Sequence, residues 1–241
     1  MSRVVKTLSA AGATMYFLFA GAAFAAGING TVTYDGKVPN LKPLAMDADP
    51  ACAAKHKAPV PNQMLELGSG NTMGNILVRV TSGLPAGKTY PPPAEPVVMD
   101  QNGCIYQPHV FVIQQGQSLK ALNSDGVLHN VHALPKVNAQ FNLAMPPNRK
   151  EAEHKFDKAE DPFPIKCDVH PWMTAYTTVT PHPFFSVTKG DGKFSIANLP
   201  AGSYEIEAWH EKLGKKTEKV TVGESDTKTV DFKFTAPEKA P

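Results

Sequence analysis

The chain has 241 residues and a formal net charge of +2, with 24 Lys and Arg against 22 Asp and Glu. This near-neutral balance, without a Lys/Arg cluster among aromatic residues, argues against a nucleic-acid-binding surface. The length suits one large domain or two small ones.

The first 25 residues have the pattern of a secretory signal peptide. Arg3 and Lys6 give a positive start, an apolar stretch follows, and the stretch Ala-Phe-Ala at 23–25 offers a cleavage site with small residues at its first and last positions. A retained membrane anchor is the alternative. No later segment is apolar for long enough to span a bilayer. We therefore expect a periplasmic or otherwise exported protein that starts near Ala26 and is not inserted in the membrane after signal removal.

Short segments rich in β-branched and aromatic residues follow one another along the rest of the chain. Gly, Pro, Asn or Asp separate most of them, a pattern typical of β-sandwiches and barrels. We therefore predict an all-β fold. Residues 148–161 could form a helix, although their apolar positions are few. Residues 237–241 are expected to be a frayed tail.

The three cysteines allow one disulfide and one leftover thiol, and a leftover thiol in an exported protein requires a reason. Cys52 and Cys104 both lie beside turn-forming residues, whereas Cys167 lies among other metal-binding side chains. We therefore expect a disulfide between Cys52 and Cys104, with Cys167 reserved for a metal. The sequence alone does not determine this connectivity.

The stretch CDVHPWM at 167–173 places a thiolate, an imidazole and a thioether on one short loop, which Pro171 stiffens. Upstream, the strand-like stretch HNVH at 129–132 follows an Asn-Ser-Asp-Gly turn. A His from such a neighbouring strand would complete a His₂Cys plane with a weak axial Met, which is blue-copper geometry. Zinc is the main rival metal, but it has no use for a thioether.

These motifs resemble those of the cupredoxins, the blue copper proteins, and above all their amicyanin- and plastocyanin-like members. The resemblance covers roughly residues 100–181 and implies one Cu⁺/Cu²⁺ ion. It also implies that Asn130, beside the first His, ties the two ligand loops together. The ligands that the resemblance implies are His129, Cys167, His170 and Met173.

Two further histidines are left out of this ligand set. His132 falls on the opposite face of its strand from His129, because side chains alternate along a strand. His109 is expected to be a partly buried strand histidine without a metal role.

The implied function is the transfer of single electrons between redox proteins such as a dehydrogenase, a cytochrome or an oxidase. Four protein ligands leave no open position for a substrate, so we expect no enzymatic activity. The alternative is an exported copper-binding or chaperone protein, or a structural interaction module without redox turnover. Trp172 and Pro171 are expected either to pack beneath the loop or to form an apolar docking rim around an exposed edge of His170.

A domain boundary is expected near residues 180–185. Beyond it, strands alternate with Gly-Asp-Gly and Pro-Ala-Gly turns, which resembles a carboxypeptidase-regulatory-like, prealbumin-type sandwich. The stretch at 27–39 resembles the first strand of the same module. It stays open whether the cupredoxin-like part is inserted in that module or precedes it. The predicted division is a signal peptide at 1–25, an N-terminal β segment at 26–99, a Greek-key copper-binding core at 100–181 and a smaller β-sandwich at 182–236.

Overall fold

The computed structural model describes residues 26–236, so the predicted signal peptide and the predicted tail lie outside the described residues. Within this range the regular secondary structure is almost entirely β-strand, and the helical parts are α1 (Pro50–Ala53) and two 3-10 turns at Met46–Ala48 and Ser69–Asn71. The all-β prediction is confirmed. None of these helical parts has the length or apolar character needed to cross a bilayer.

The strands, in chain order, are β1 (Gly27–Asp35), β2 (Leu77–Ser82), β3 (Val97–Gln101), β4 (Tyr106–Gln107), β5 (Val110–Gln114), β6 (Ser118–Asn123), β7 (His129–Ala133), β8 (Phe141–Met145), β9 (Glu151–Lys155), β10 (Glu160–Lys166), β11 (Thr174–Thr180), β12 (Phe185–Val187), β13 (Lys193–Ala197), β14 (Gly202–His210), β15 (Gly214–Val222), β16 (Thr227–Thr229) and β17 (Phe232–Thr235). The stretch at 148–161, which offered a weak helical alternative, contains β9 and the start of β10.

Strands β3 to β11 form two facing sheets, which we call the central sandwich. One sheet has the order β4-β3-β6-β9 and the other β5-β11-β10-β7-β8. Alternate residues of these strands point inward, as the pleat of a β-strand requires. Their side chains meet in one buried core that contains Phe111, Ile165 and Met173. The predicted ligands lie at the start of β7 and on the loop between β10 and β11 of this sandwich.

Strands from both ends of the chain form the other two sheets, which we call the split sandwich. Strand β1 pairs antiparallel with β13 and parallel with β16 and β17, and the second sheet has the order β12-β2-β14-β15. Of the two arrangements that the sequence left open, this pairing is that of a central sandwich inserted within the split one. A separate core fills the split sandwich.

The two sandwiches pack against each other through β2 and β5. Every residue of β5 is buried, because its two faces have different neighbours. Phe111 and Ile113 point into the central core. Val110 and Val112 instead cluster with Leu77 of β2. Continuous burial along a strand is expected when both faces are covered.

A buried cation links the sandwiches at this junction. Arg79 of β2 donates two hydrogen bonds to Glu207 of β14, at 3.1 and 2.9 Å. The same guanidinium donates to Thr178 of β11 at 3.0 Å and to Asp161 of β10. Arg79 is only 9% exposed, so its charge depends on these partners. Removing the guanidinium would leave the buried Glu207 with the mostly exposed ammonium of Lys215, 3.2 Å from its Oε2, as its remaining ion pair.

We therefore expect Arg79→Met to lower the free energy of unfolding by about 3 kcal/mol, measured by urea denaturation. The matched control is the double variant Arg79→Met with Glu207→Met, which removes both charges and is expected to recover much of the loss. A single variant as stable as the wild type would contradict this account of the junction.

Candidate metal centre

Two neighbouring strands of the central sandwich deliver the predicted ligands. Strand β10 ends at Lys166, which pairs with His132 of β7, so Cys167 emerges beside the strand that His129 begins. The loop then closes on itself. The N–H of Met173 donates to the carbonyl of His170 at 2.9 Å, and the N–H of Cys167 donates to the carbonyl of Met173 at 3.3 Å. This closure turns the loop residues back toward β7.

Three of the four predicted ligands meet in the interior. The Nδ1 atoms of His129 and His170 are 3.0 Å apart, and Cys167 Sγ is 3.7 Å from His170 Nδ1. The three donor atoms all lie within 4.8 Å of one another. The three residues are buried: His129 is 0%, His170 is 1% and Cys167 is 4% exposed. Met173 is buried in the same core as Cys167.

The outer nitrogen of each imidazole faces a carboxylate. His129 Nε2 lies 3.0 Å from Asp125 Oδ2, and His170 Nε2 lies 3.0 Å from Asp49 Oδ2. Because an ionised carboxylate only accepts hydrogen bonds, both Nε2 atoms must carry a proton. In a neutral imidazole the other ring nitrogen is then an acceptor. Two Nδ1 lone pairs therefore face each other at 3.0 Å.

Such a pair of facing lone pairs requires a positive centre between them, either a shared proton or a metal ion. Burial lowers the pKa of His129, but Asp125 and Cys167 outweigh it and raise that pKa above its usual value. Without metal, these two neighbours thus favour the protonated form of His129. A metal ion would displace that proton, since metal ligands must be deprotonated to bind.

The Cys167 sulfur lies in surroundings that favour its ionised form. Burial raises the pKa of the thiol, but hydrogen bonds from His129 and from the backbone N–H groups of Asn130, His170 and Val169 outweigh it and lower the pKa to about 7. The Asn130 N–H lies 3.3 Å from Sγ. Two imidazole nitrogens and a thiolate, with a thioether in the same core, form a donor set that suits copper.

Asn130 also reaches the ligand loop through its side chain. Its amide donates to Asn142 Oδ1 at 2.9 Å, and Asn142 donates to Asp168 Oδ2 at 2.5 Å. Asn130 therefore connects β7 to the ligand loop in two ways, through its backbone N–H to Cys167 and through Asn142 to Asp168. His132 points away from the cluster, toward Asp168 Oδ1 at 2.9 Å.

The disulfide between Cys52 and Cys104 is present, and Cys167 is a buried free thiol, as expected. The disulfide lies against the centre, because Cys52 Sγ is 3.5 Å from His170 Nε2. It holds residues 46–56, which we call the covering segment, over the outer side of His170.

The expectation of an exposed His170 edge is wrong. The side chain is 2% exposed because Asp49 and Cys52 of the covering segment lie on its outer nitrogen. Trp172 is half-buried: its indole N–H donates to the carbonyl of Cys104 at 3.0 Å, and its ring centroid is 5.0 Å from that of His170. Trp172 thus packs between the loop and the disulfide, while Pro171 is exposed.

Sequence reasoning missed the two carboxylates that hold the imidazoles. Asp49 precedes a proline and caps α1, and Asp125 lies in the Asn-Ser-Asp-Gly turn, so each had an ordinary local role. Only the fold brings Asp49 to His170, 121 residues away. His109 does not belong to this cluster. Its Nε2 lies 2.6 Å from Glu211 Oε1, and its Nδ1 lies 3.0 Å from the carbonyl oxygen of Thr174.

Comparisons with known proteins give a match for part of the chain. No protein-family model matches it, and the search of curated proteins finds no match. Among solved structures, a copper-containing nitrite reductase from Thermus scotoductus SA-01 is 18% identical with a TM-score of 0.33, and the match covers 41% of this chain and 25% of that one. A variant of amicyanin in its Cu(I) form is 19% identical with a TM-score of 0.32, over 42% of this chain and 97% of that one.

A purple cupredoxin from Nitrosopumilus maritimus is 22% identical with a TM-score of 0.30, over 35% of this chain and 99% of that one. The chain therefore spans the length of the small cupredoxins but only a quarter of the nitrite reductase. Cupredoxins are among the solved structures to which about two fifths of this chain is similar.

Because hydrogen bonds to the sulfur outweigh its burial, the thiol of the metal-free protein is expected to ionise with a midpoint near pH 7, below the ordinary value of 9.0. The ultraviolet absorption of the thiolate, followed against pH, measures this midpoint. Cys167→Ser is the control and is expected to show no transition, since the other two cysteines form the disulfide. A midpoint near pH 9 would contradict the arrangement around the sulfur.

Proposed function

We propose that this protein is an exported mononuclear blue copper protein that carries single electrons between redox partners. The observation that supports it most directly is the buried convergence of two imidazole Nδ1 atoms on the Cys167 sulfur. His129, Cys167 and His170 would hold the metal, and Met173 is proposed as the weak fourth ligand. When bound, copper supplies a one-electron Cu⁺/Cu²⁺ couple.

The surrounding residues support electron transfer more than catalysis. Carboxylates orient both imidazoles, a backbone N–H donates to the sulfur, and the donor side chains are at most 4% exposed. Groups fixed in this way are expected to move little between oxidation states, and such partners tune a metal centre's potential. The buried donors also leave little room for a substrate, so we propose no enzymatic activity.

The alternative of a copper chaperone fits the covering segment less well, because a chaperone must release its metal. Export is supported by the disulfide, since disulfides persist in oxidising compartments such as the periplasm. The proposed partners are redox proteins: a dehydrogenase, a cytochrome or an oxidase. We propose that they approach over the covering segment, because Asp49, which contacts His170 directly, has a side chain that is 32% exposed.

The test is the visible and electron paramagnetic resonance spectrum of the exported protein loaded with Cu²⁺. We expect an intense blue colour from thiolate-to-copper charge transfer, and narrow copper hyperfine splitting because a covalent copper–thiolate bond spreads the unpaired electron onto the sulfur. Cys167→Ser is expected to lose both while retaining the fold. A colourless wild type, or one that binds zinc in preference to copper, would contradict the proposal.

The matched variant from the same loop is Met173→Leu. It keeps the thiolate, so the strong visible absorption is expected to remain. Its reduction potential is expected to rise, because the axial ligand tunes the potential and the more positive Cu²⁺ loses more when a fourth donor is removed. A potential equal to that of the wild type would remove Met173 from the proposed ligand set.

A further inference from the structure

The carboxylates on the outer imidazole nitrogens are themselves held in place. Asp49 Oδ1 accepts from the N–H groups of Ala51 and Cys52, at 2.8 and 3.3 Å, and leaves Oδ2 for His170. An N-cap side chain of this kind is fixed by the helical turn that it caps. Asp49 Oδ2 is therefore directed at His170 Nε2, 3.0 Å away.

Asp125 is anchored in the same manner on the other imidazole. It accepts from the N–H groups of Gly103 and Cys104, both at 2.7 Å, while Oδ2 faces His129. The Nε2 atom of each predicted histidine ligand therefore faces a carboxylate with a fixed position.

The covering segment is attached to the Asp125 side of the centre at three points. The disulfide joins Cys52 to Cys104, Lys55 Nζ lies 3.2 Å from Asp125 Oδ1, and His56 Nε2 lies 2.7 Å from the carbonyl of Gly103. These attachments hold Asp49 over His170. The position of the Asp49 carboxylate thus depends on a segment that is far from the ligand loop in sequence.

The two carboxylates differ in how their charge is compensated. Asp125 is paired with the ammonium of Lys55 as well as with His129. Within residues 26–236, the ion pair of Asp49 is with His170, and no Lys or Arg lies within 4.0 Å of it. The full negative charge of Asp49 therefore acts on the imidazole of His170 and on any charge that this imidazole carries.

We propose that the covering segment sets the reduction potential of the centre, with Asp49 as a positioning residue that fixes the His170 tautomer and favours Cu²⁺ over Cu⁺. A hydrogen-bonded carboxylate makes an imidazole a stronger donor, and its negative charge stabilises the more positive oxidation state. Asp49 therefore lowers the potential. This inference rests on the proposed function, because it concerns the same site.

The decisive comparison is between Asp49→Asn and Asp47→Asn. Asn is as good an N-cap as Asp, so the first variant keeps the turn of α1 while an uncharged amide NH₂ replaces the carboxylate oxygen that faces His170, which removes both the charge and the acceptor on Nε2. Asp47 belongs to the same covering segment and is exposed, so the second variant removes an equal charge without a contact to the ligand. Potentials of the copper-loaded proteins are measured by spectroelectrochemical titration.

For Asp49→Asn, we expect the preference for Cu²⁺ over Cu⁺ to fall about tenfold, the lower end of the effect of removing such a partner. A tenfold change corresponds to a rise of about 59 mV for a one-electron couple. Asp47→Asn is expected to leave the potential unchanged. An unchanged potential in Asp49→Asn, or an equal shift in both variants, would overturn the inference. The proposed function would still hold in that case if the copper-loaded wild type is blue.

A second measurement uses the metal-free protein and does not depend on copper. Nitrogen NMR of His170 is expected to show the Nε2–H tautomer in the wild type, and a mixture of tautomers in Asp49→Ala, where the acceptor is lost. Retention of a single Nε2–H tautomer in Asp49→Ala would show that Asp49 does not position the ring. If the loaded wild type is not blue, the proposed function fails, whereas this measurement still decides the role of Asp49.

Discussion

The approach of two histidine Nδ1 atoms to 3.0 Å of each other is the constraint on which the rest of this centre depends. Each ring could relieve the contact by turning its Nδ1 away from the other ring, but Asp125 and Asp49 hold the rings by their Nε2 atoms. The lone pairs are therefore directed at one another and toward the Cys167 sulfur. The fold keeps three electron-rich atoms together in its interior, an arrangement that is costly unless a positive centre joins them.

The architecture distributes this task over distant parts of the chain. Strands β7 and β10 of the central sandwich place His129 beside Cys167, and the tight loop returns His170 to both. The covering segment, which lies between β1 and β2 of the split sandwich, crosses to the centre and is attached there by the disulfide. The cluster of donor atoms is thus completed by a segment that lies outside the sheet of β7 and β10.

Much of the candidate site was predictable from short sequence motifs. The spacing of Cys167, His170 and Met173 predicts one loop, and the position of Cys52 and Cys104 beside turns favours their pairing. The roles of Asp49 and Trp172 were not predictable, because they arise from contacts across 121 and 68 residues that no local signal encodes. The stretch at 148–161 carried a weak helical alternative, yet Glu151–Lys155 pairs with β6, since a strand partner outweighs a weak local preference.

The most direct test of a preformed centre is X-ray absorption at the copper edge of the loaded protein in both oxidation states. The account predicts two nitrogen neighbours and one sulfur neighbour at short distance in the Cu²⁺ form, and the same set in the Cu⁺ form, because carboxylates and backbone groups hold every donor in place. Loss of a nitrogen or of the sulfur on reduction, or coordination by nitrogen and oxygen alone, would contradict it.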